Sequence, residues 1–325
     1  MSTFVELAIV SDIHYPGPLE RARGHEYEFE GIRNPRAKLL LRLFRKYIWL
    51  HRPLDRWPLL EQFIECAKNA DYLVSNGDYS CDSGFVGLVD EPSFQSSKTC
   101  LDRLRATFPG RCSFTFGDHE LGKLSMMGAK GGMRLASFHR GVEGLGLKPF
   151  WRVDIGPYRL LGVTSSLLAL PVFLKDTLPE ERSAWEELRA GHLEEIRNGF
   201  ASIDPGGKIL LFCHDPSALP FLLDEPMVQS RIPQIEQTII GHLHTNLVFW
   251  KSRLLAGMPI LRFGPSVLRM TTALNQAKKW KPFKVRLCPS LAGTELLKDG
   301  GYYRVRLDLS GRTSPRFTKG VLGKP

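Results

Sequence analysis

The sequence predicts an α/β fold in one large domain, and three observations predict it. Short apolar runs recur along the 325 residues, helical stretches separate several of them, and each run meets Gly, Asp, His or Ser within two residues of its end. The runs are Phe4–Val10, Tyr72–Val74, Ser113–Phe116, Leu160–Val163, Ile209–Phe212, Thr238–Ile240 and Ile260–Phe263. Each has the length and composition of a strand. Leu59–Lys68, Lys98–Thr107 and Pro179–Arg197 read as helices. Strands alternating with helices call for a largely buried sheet. Residues 1–310 make up the domain. Within it, 15–57 is too long for a simple connection and reads as an inserted cap or membrane-facing element. Residues 311–325, with Gly, Pro, Arg and Lys, read as a loose C-terminal tail.

Six cysteines without a CxxC pair or framework spacing read as reduced thiols of the cytoplasm. The N-terminus has no basic n-region and meets charge too soon for a signal peptide. Leu160–Leu174, the longest uncharged stretch, contains Pro171 and falls short of the roughly 20 apolar residues a bilayer span needs. The expectation is a cytoplasmic protein, peripheral on the inner face of the membrane.

Chemistry concentrates where the apolar runs end. Asp12-Ile-His14 follows the first, Gly77-Asp78 the second and Gly117-Asp118-His119-Glu120 the third. His214-Asp215 follows Ile209–Phe212, and Gly241-His242-Leu243-His244 follows Thr238–Ile240. Five of nine histidines lie in these clusters. In open α/β sheets ligands bind beyond the carboxyl ends of strands, so separate strand ends converge on one site. Alternate residues of an extended segment point the same way, which suits Asp-x-His and His-x-His to metal binding. A glycine before Asp78, Asp118 and His242 permits the tight turn that presents each ligand. Any one cluster alone is as well explained by a turn or an ordinary histidine.

In their order, these motifs resemble the calcineurin-like metallophosphoesterase family. The resemblance implies a four-layer α/β/β/α sandwich with two divalent metal ions at the strand ends. Asp12, His14, Asp78 and His244 would hold one ion; Asp78 as bridge, Asp118, His214 and His242 would hold the other. His119 would contact the phosphate and protonate the leaving group, with Glu120 orienting its imidazole. Two divalent ions about 3.5–4 Å apart lower the pKa of a shared water and clamp an in-line displacement at phosphorus, so no Ser or Cys nucleophile is required. Mixed Asp/His ligands suit manganese, iron or zinc.

Two departures narrow the substrate. Most members of the family carry Asn where this chain has Asp118. The added negative charge predicts tighter metal binding and a preference for a singly charged, diester-like phosphorus over a monoester. No Arg appears in Gly77-Asp78-Tyr79-Ser80-Cys81-Asp82, where the protein Ser/Thr phosphatases of the family place one to grip phosphate. That argues against a phosphoprotein substrate.

The net charge of +10 is local. Arg33–Arg56 carries +7 and Lys251–Arg286 carries +9, which leaves −6 on the rest. Between Pro35 and Pro53, helical spacing puts Lys38, Arg42, Arg45, Lys46 and Arg52 on one arc. Trp49 stands among these cations. Leu39, Leu40, Leu41, Leu43, Phe44, Tyr47, Ile48 and Leu50 take the opposite arc. Such a helix, over 36–52, fits an anionic membrane surface, apolar face in the acyl boundary and cations on headgroups. It equally fits a helix docked on its own core with its cations in water. The second segment, with Trp280 and Phe283 among its cations, fits a nucleic-acid backbone, a membrane surface or a nucleotide diphosphate. Leu167–Leu174 and Leu219–Leu223 read as core or as the lining of an acyl-chain groove.

A fainter resemblance, through Gly77–Phe85, Phe116–Lys123 and Gly131–Phe138, is to the UDP-2,3-diacylglucosamine pyrophosphatases of lipid A biosynthesis. It implies a sugar-nucleotide lipid substrate, release of UMP and 2,3-diacylglucosamine 1-phosphate, and manganese (Mn2+) as the metal. A nuclease or cyclic-nucleotide phosphodiesterase that binds phosphate backbones through the basic segments is the second choice. A non-catalytic binding protein of the same fold comes third, because such members lose ligands and this chain has one at every position. No protein partner is inferred.

Overall fold

β1 (Phe4–Val10) shows why two sheets form. Leu7 and Ile9 point to one face, Ala8 and Val10 to the other, and all four are buried. A strand apolar on both faces needs cover on both. Burying Leu7, Ile9 and Val10 stabilises the fold by about 1.5–3 kcal/mol each.

The computed structural model describes residues 3–30, 32–81, 85–125 and 130–322. Asp82 and part of Gly77–Phe85 lie outside the described residues. Beside β1 run β2 (Tyr72–Ser75) and β3 (Cys112–Phe114), all parallel. The second sheet contains β4 (Phe150–Ile155), β5 (Tyr158–Val163), β6 (Lys208–Cys213), β7 (Ile235–Ile240) and β8 (Val285–Leu287) in that order, with β5 to β8 parallel. β9 (Tyr302–Asp308) returns antiparallel to β1, and β10 (Arg316–Gly320) pairs with β9, so the first sheet has the order β10-β9-β1-β2-β3.

Leu7, Ile9, Val74, Leu160, Leu210, Phe212, Ile239 and Val305 form the apolar layer between the sheets. The alternate residues Ala8, Val10, Leu161, Val163, Ile209 and Leu211 join the larger layer beneath the helices. The outcome is the four-layer α/β/β/α sandwich.

α1 (Pro18–Arg23) and α2 (Pro35–Tyr47) lie in the segment 15–57, which leaves the sheet after β1. α3 (Pro58–Ala67) then leads into β2, and α4 (Glu91–Thr107) leads into β3. α5 (Asp118–Leu121) is a single turn directly after β3, and α6 (Leu135–Leu145) precedes β4.

Four expectations need correction. Ile260–Phe263 is not a strand but an exposed loop. The tail is not loose throughout, because Arg316–Gly320 completes an antiparallel ladder with β9. Leu168, Leu170, Leu219 and Leu222 are core rather than groove lining, while Leu167 borders a cavity of about 520 Å³ with Phe138 and Leu188.

The fourth correction concerns α2. It ends at Tyr47 because the next carbonyls are engaged elsewhere: Glu295 N–H donates to Trp49 O at 2.7 Å and Leu296 N–H to Ile48 O at 3.3 Å. Its orientation matches neither sequence-based alternative in full. Arg45 is buried and bonds Glu28 through Nε at 2.7 Å, while Arg42 and Lys38 pair with Glu26. Part of the apolar arc faces outward, with Leu40 62% and Tyr47 58% exposed and Leu39, Leu43 and Ile48 also open to water, while Leu41 and Leu50 are buried.

Candidate metal centre

Each motif sits just beyond a strand end. Asp12 and His14 follow β1, Asp78 follows β2, Asp118 opens α5, His214 follows β6, and His242 and His244 follow β7. The first two turns are tied side by side, with Asp12 N–H donating to Gly77 O at 3.1 Å and His14 N–H to Asp78 O at 3.0 Å. The second sheet joins through Gly241 N–H to His214 O at 2.9 Å and Asn76 Nδ2 to Ile239 O at 3.4 Å.

The chain holds these residues in costly conformations. Among the described residues eight non-glycine positions have positive φ, and five of them are Asp12, His14, Asp78, His242 and His244. A left-handed backbone costs an L-residue about 1–3 kcal/mol and clusters at functional sites. Of the three preceding glycines, Gly77 adopts positive φ, 93°. Gly117 keeps an ordinary φ of −94°, and space is what requires it: a Cβ there would lie 2.5 Å from the Asp78 backbone nitrogen.

The side chains gather into two groups around one carboxylate. Asp12, His14 and His244 form one group and Asp118, His214 and His242 the other, each able to offer its atoms to one ion. Asp78 lies between them, its Oδ2 3.9 Å from His14 Nε2 and 3.1 Å from His214 Nε2. The groups overlap, since Asp12, Asp78 and His214 also lie within reach of one ion, as do His14, Asp78 and His119. His119 Nε2 approaches the same Oδ2 at 3.8 Å.

The donor atoms fit cations. Asp12 Oδ2 is buried with no hydrogen-bond partner. His14 Nε2 and His244 Nε2 face each other at 3.4 Å, an approach that a shared cation explains. The opposite ring nitrogens are anchored: His14 Nδ1–H donates to Ser80 O at 3.2 Å and His214 Nδ1–H to Asn76 O at 2.5 Å. That fixes the tautomer and leaves each Nε2 lone pair pointing inward, as metal-ligating histidines require. His242 presents Nδ1 to Asp118 Oδ1 at 2.9 Å, while its Nε2 lies 3.7 Å from Asp215.

Charge is tightly coupled here. Burial works against ionised Asp118, but His242 and His214 outweigh it and hold the carboxyl well below its ordinary range. Burial also opposes the His242 imidazolium, yet Asp215 and Asp118 raise it to about 9.

Glu120 does not orient His119. Its buried carboxylate accepts backbone N–H groups from Gly117 at 2.8 Å, Asp78 at 3.0 Å and Tyr79 at 2.8 Å. It ties the Asp78 turn to the Asp118 turn. Burial and the Asp78 charge push it up to about 8 against those three donors.

Two neighbours escape the motif pattern. Trp49 lies over His244 with ring centroids 4.7 Å apart and stacks on Phe44, so the cap reaches the centre. Lys123 folds its ammonium onto His119 Nε2. The spacing of four residues from His119, broken by Gly122, is the sequence signal for that return. Trp280 and Phe283 are buried, so neither can stack on a base.

No family model and no curated protein matches the chain. Among solved structures it is similar to a dimetal phosphatase from Danio rerio, with 13% identity over 74% of this chain and 82% of that one, TM-score 0.44. It is also similar to the phosphopantetheinyl hydrolase of Mycobacterium tuberculosis, with 14% identity over 75% and 84%, TM-score 0.37. A purple acid phosphatase from yellow lupin seeds matches at 15% identity over 75% and 38%, TM-score 0.37. What the centre can do follows from its own geometry.

Proposed function

We propose that this protein is a two-metal phosphoesterase that hydrolyses a phosphodiester or pyrophosphate on an acylated molecule taken from a membrane surface. The observation that carries the chemistry is the seven-residue centre, two Asp/His groups sharing Asp78, with five members in left-handed backbone. Two divalent ions held there supply an activated water and offset charge on phosphorus, with manganese the first choice and iron or zinc also suited. The water oxygen would bond to phosphorus and give up a proton as the bond to the leaving oxygen breaks; His119 Nε2, which accepts from the Lys123 ammonium in the free protein, would take up a solvent proton once that contact opens and pass it to the leaving oxygen. Glu120 holds the two ligand turns in register meanwhile.

The outward apolar arc of α2, joined to the centre through Phe44 and Trp49, supports the membrane source. Leu247, Trp250 and Leu254 are exposed on the helix that starts two residues after His244. Among the described residues no helix is long and apolar enough to cross a membrane. The first substrate to test is UDP-2,3-diacylglucosamine, giving UMP and 2,3-diacylglucosamine 1-phosphate. A nuclease is less favoured, because the rings proposed to stack are buried and Arg269 and Lys279 are paired with Asp176 and Asp224.

The experiment is turnover by manganese-loaded protein of that lipid, bis-p-nitrophenyl phosphate, p-nitrophenyl phosphate and single-stranded DNA. UMP release is expected. Turnover of the simple diester without UMP removes the lipid substrate, and no turnover of any of the four removes the activity.

A further inference from the structure

We propose that Lys123 is the cation that grips the phosphorus group, the part the sequence lacks after Gly77-Asp78. The proposal rests on the phosphoesterase reading and names a binding residue within that site.

The backbone of Lys123 is fixed. Its N–H donates to Phe85 O at 3.1 Å and its carbonyl accepts Gly132 N–H at 3.1 Å. Gly122, at φ 101°, ends α5 and turns the chain so that the side chain runs back along the helix. The partly buried ammonium then meets His119 Nε2, the nitrogen that lies 3.8 Å from the Asp78 carboxylate. A lysine there stands beside the group assigned to the leaving oxygen and at the edge of the shared carboxylate.

Its charge answers a specific need. Asp12, Asp78 and Asp118 bring three carboxylates to the centre, and Glu120 adds a fourth carboxyl group behind them. Two divalent ions against those three aspartates would leave only about one net positive charge to draw in a phosphoryl group, so a further cation beside the centre strengthens its binding. Lys123 has the reach and the direction. On substrate binding its ammonium moves from the imidazole to a non-bridging phosphoryl oxygen, while His119 keeps the leaving oxygen. The bonds made and broken are those of the hydrolysis above; Lys123 donates hydrogen bonds and transfers no proton. Because an ammonium attracts a dianion more than a monoanion, it favours the doubly charged phosphates that Asp118 disfavours.

The test uses manganese-loaded full-length protein as wild type, Lys123→Met, Lys123→Gln and Lys123→Arg. Binding of inorganic phosphate is measured by calorimetry, metal content by mass spectrometry, and kcat and KM with bis-p-nitrophenyl phosphate. A lost charge-assisted hydrogen bond predicts phosphate binding weaker by about 10- to 100-fold in Met and Gln. KM should rise more than kcat falls, Arg should recover most of the affinity, and metal content should not change. Phosphate affinity within twofold of wild type in whichever of Met or Gln retains its metal overturns the proposal. So does loss of metal in all three variants, since Lys123 would then support the fold. Lys123-dependent phosphate binding without turnover of any ester upholds Lys123 while removing the hydrolase reading.

Discussion

The metal centre and the cap helix break the ordinary inside–outside rule in opposite directions. At the centre, charged and polar side chains are buried: Asp12, Asp78 and His214 have at most 1% exposure. On α2, Leu39, Leu40 and Leu43 face water while Arg45 is inside. Burying ionised groups is tolerated when they are paired or hold metals, and the five left-handed ligands show how much local structure is committed to keeping them there. Exposed apolar residues have no such internal compensation, and apolar patches of this kind commonly serve as interaction surfaces. On the proposed function one region would be completed by cations and the other by an apolar phase, and Trp49 against His244 joins the two.

The sharpest way to break the comparison is to remove the shared carboxylate. Asp78→Asn should lower turnover by more than about a thousandfold, since both ions lose a ligand and the water its activation. Activity within tenfold of wild type, with two ions still bound, would show that Asp78 does not join the two groups.

Glu120→Ala tests the support beneath them. Three buried N–H donors lose their acceptor, so metal affinity should fall by about 10- to 100-fold, with the pH dependence of any remaining activity unchanged. An altered proton-transfer step with intact metal affinity would restore Glu120 as a partner of His119.

On the cap, Leu40→Glu/Leu43→Glu should abolish flotation with anionic vesicles without altering turnover of a soluble diester. The structure adds a condition: Lys38, Arg42 and Arg45 are turned to Glu26 and Glu28. Wild-type flotation should therefore survive salt at about 1 M, where screening length falls to about 3 Å. Flotation lost in salt but kept in the double variant would return binding to the cations.

These two regions also differ in how far the sequence discloses them. The centre is legible because β1, β2, β3, β6 and β7 are apolar runs ending in ligand motifs, so the seven Asp and His residues can be named in order. Glu120 is misread because its partners are backbone groups, two of them about forty residues away in the Asp78 turn. The cap is half legible. Periodicity divides α2 into two arcs but does not say which one faces the protein. That choice is made by Glu26 and Glu28 in an irregular stretch before it. β10 is hidden because an edge strand with mostly exposed side chains carries Arg, Thr and Lys rather than an apolar run. Ile260–Phe263 misleads for the converse reason, being strand-like in composition yet outside the core.

The smallest expected effect comes from Asp118. Asp118→Asn should raise monoester turnover relative to diester by a few fold, because one negative charge leaves a centre that Lys123 only partly offsets. An unchanged ratio would mean that Asp118 does not set the preference.

The most direct test of the central claim is a titration of manganese into metal-free protein, followed by calorimetry and electron paramagnetic resonance across pH. Two ions per chain should bind and be spin-coupled through Asp78, with protons expelled as they enter. The sign follows from His242, raised to about 9 in the metal-free protein by Asp215 and Asp118 against the effect of burial. A metal takes neutral imidazole, so affinity should rise as pH climbs from about 6.5, the ordinary histidine value, to about 9. A single ion, two uncoupled ions, or an affinity flat across that range would contradict a dinuclear centre built on these seven residues.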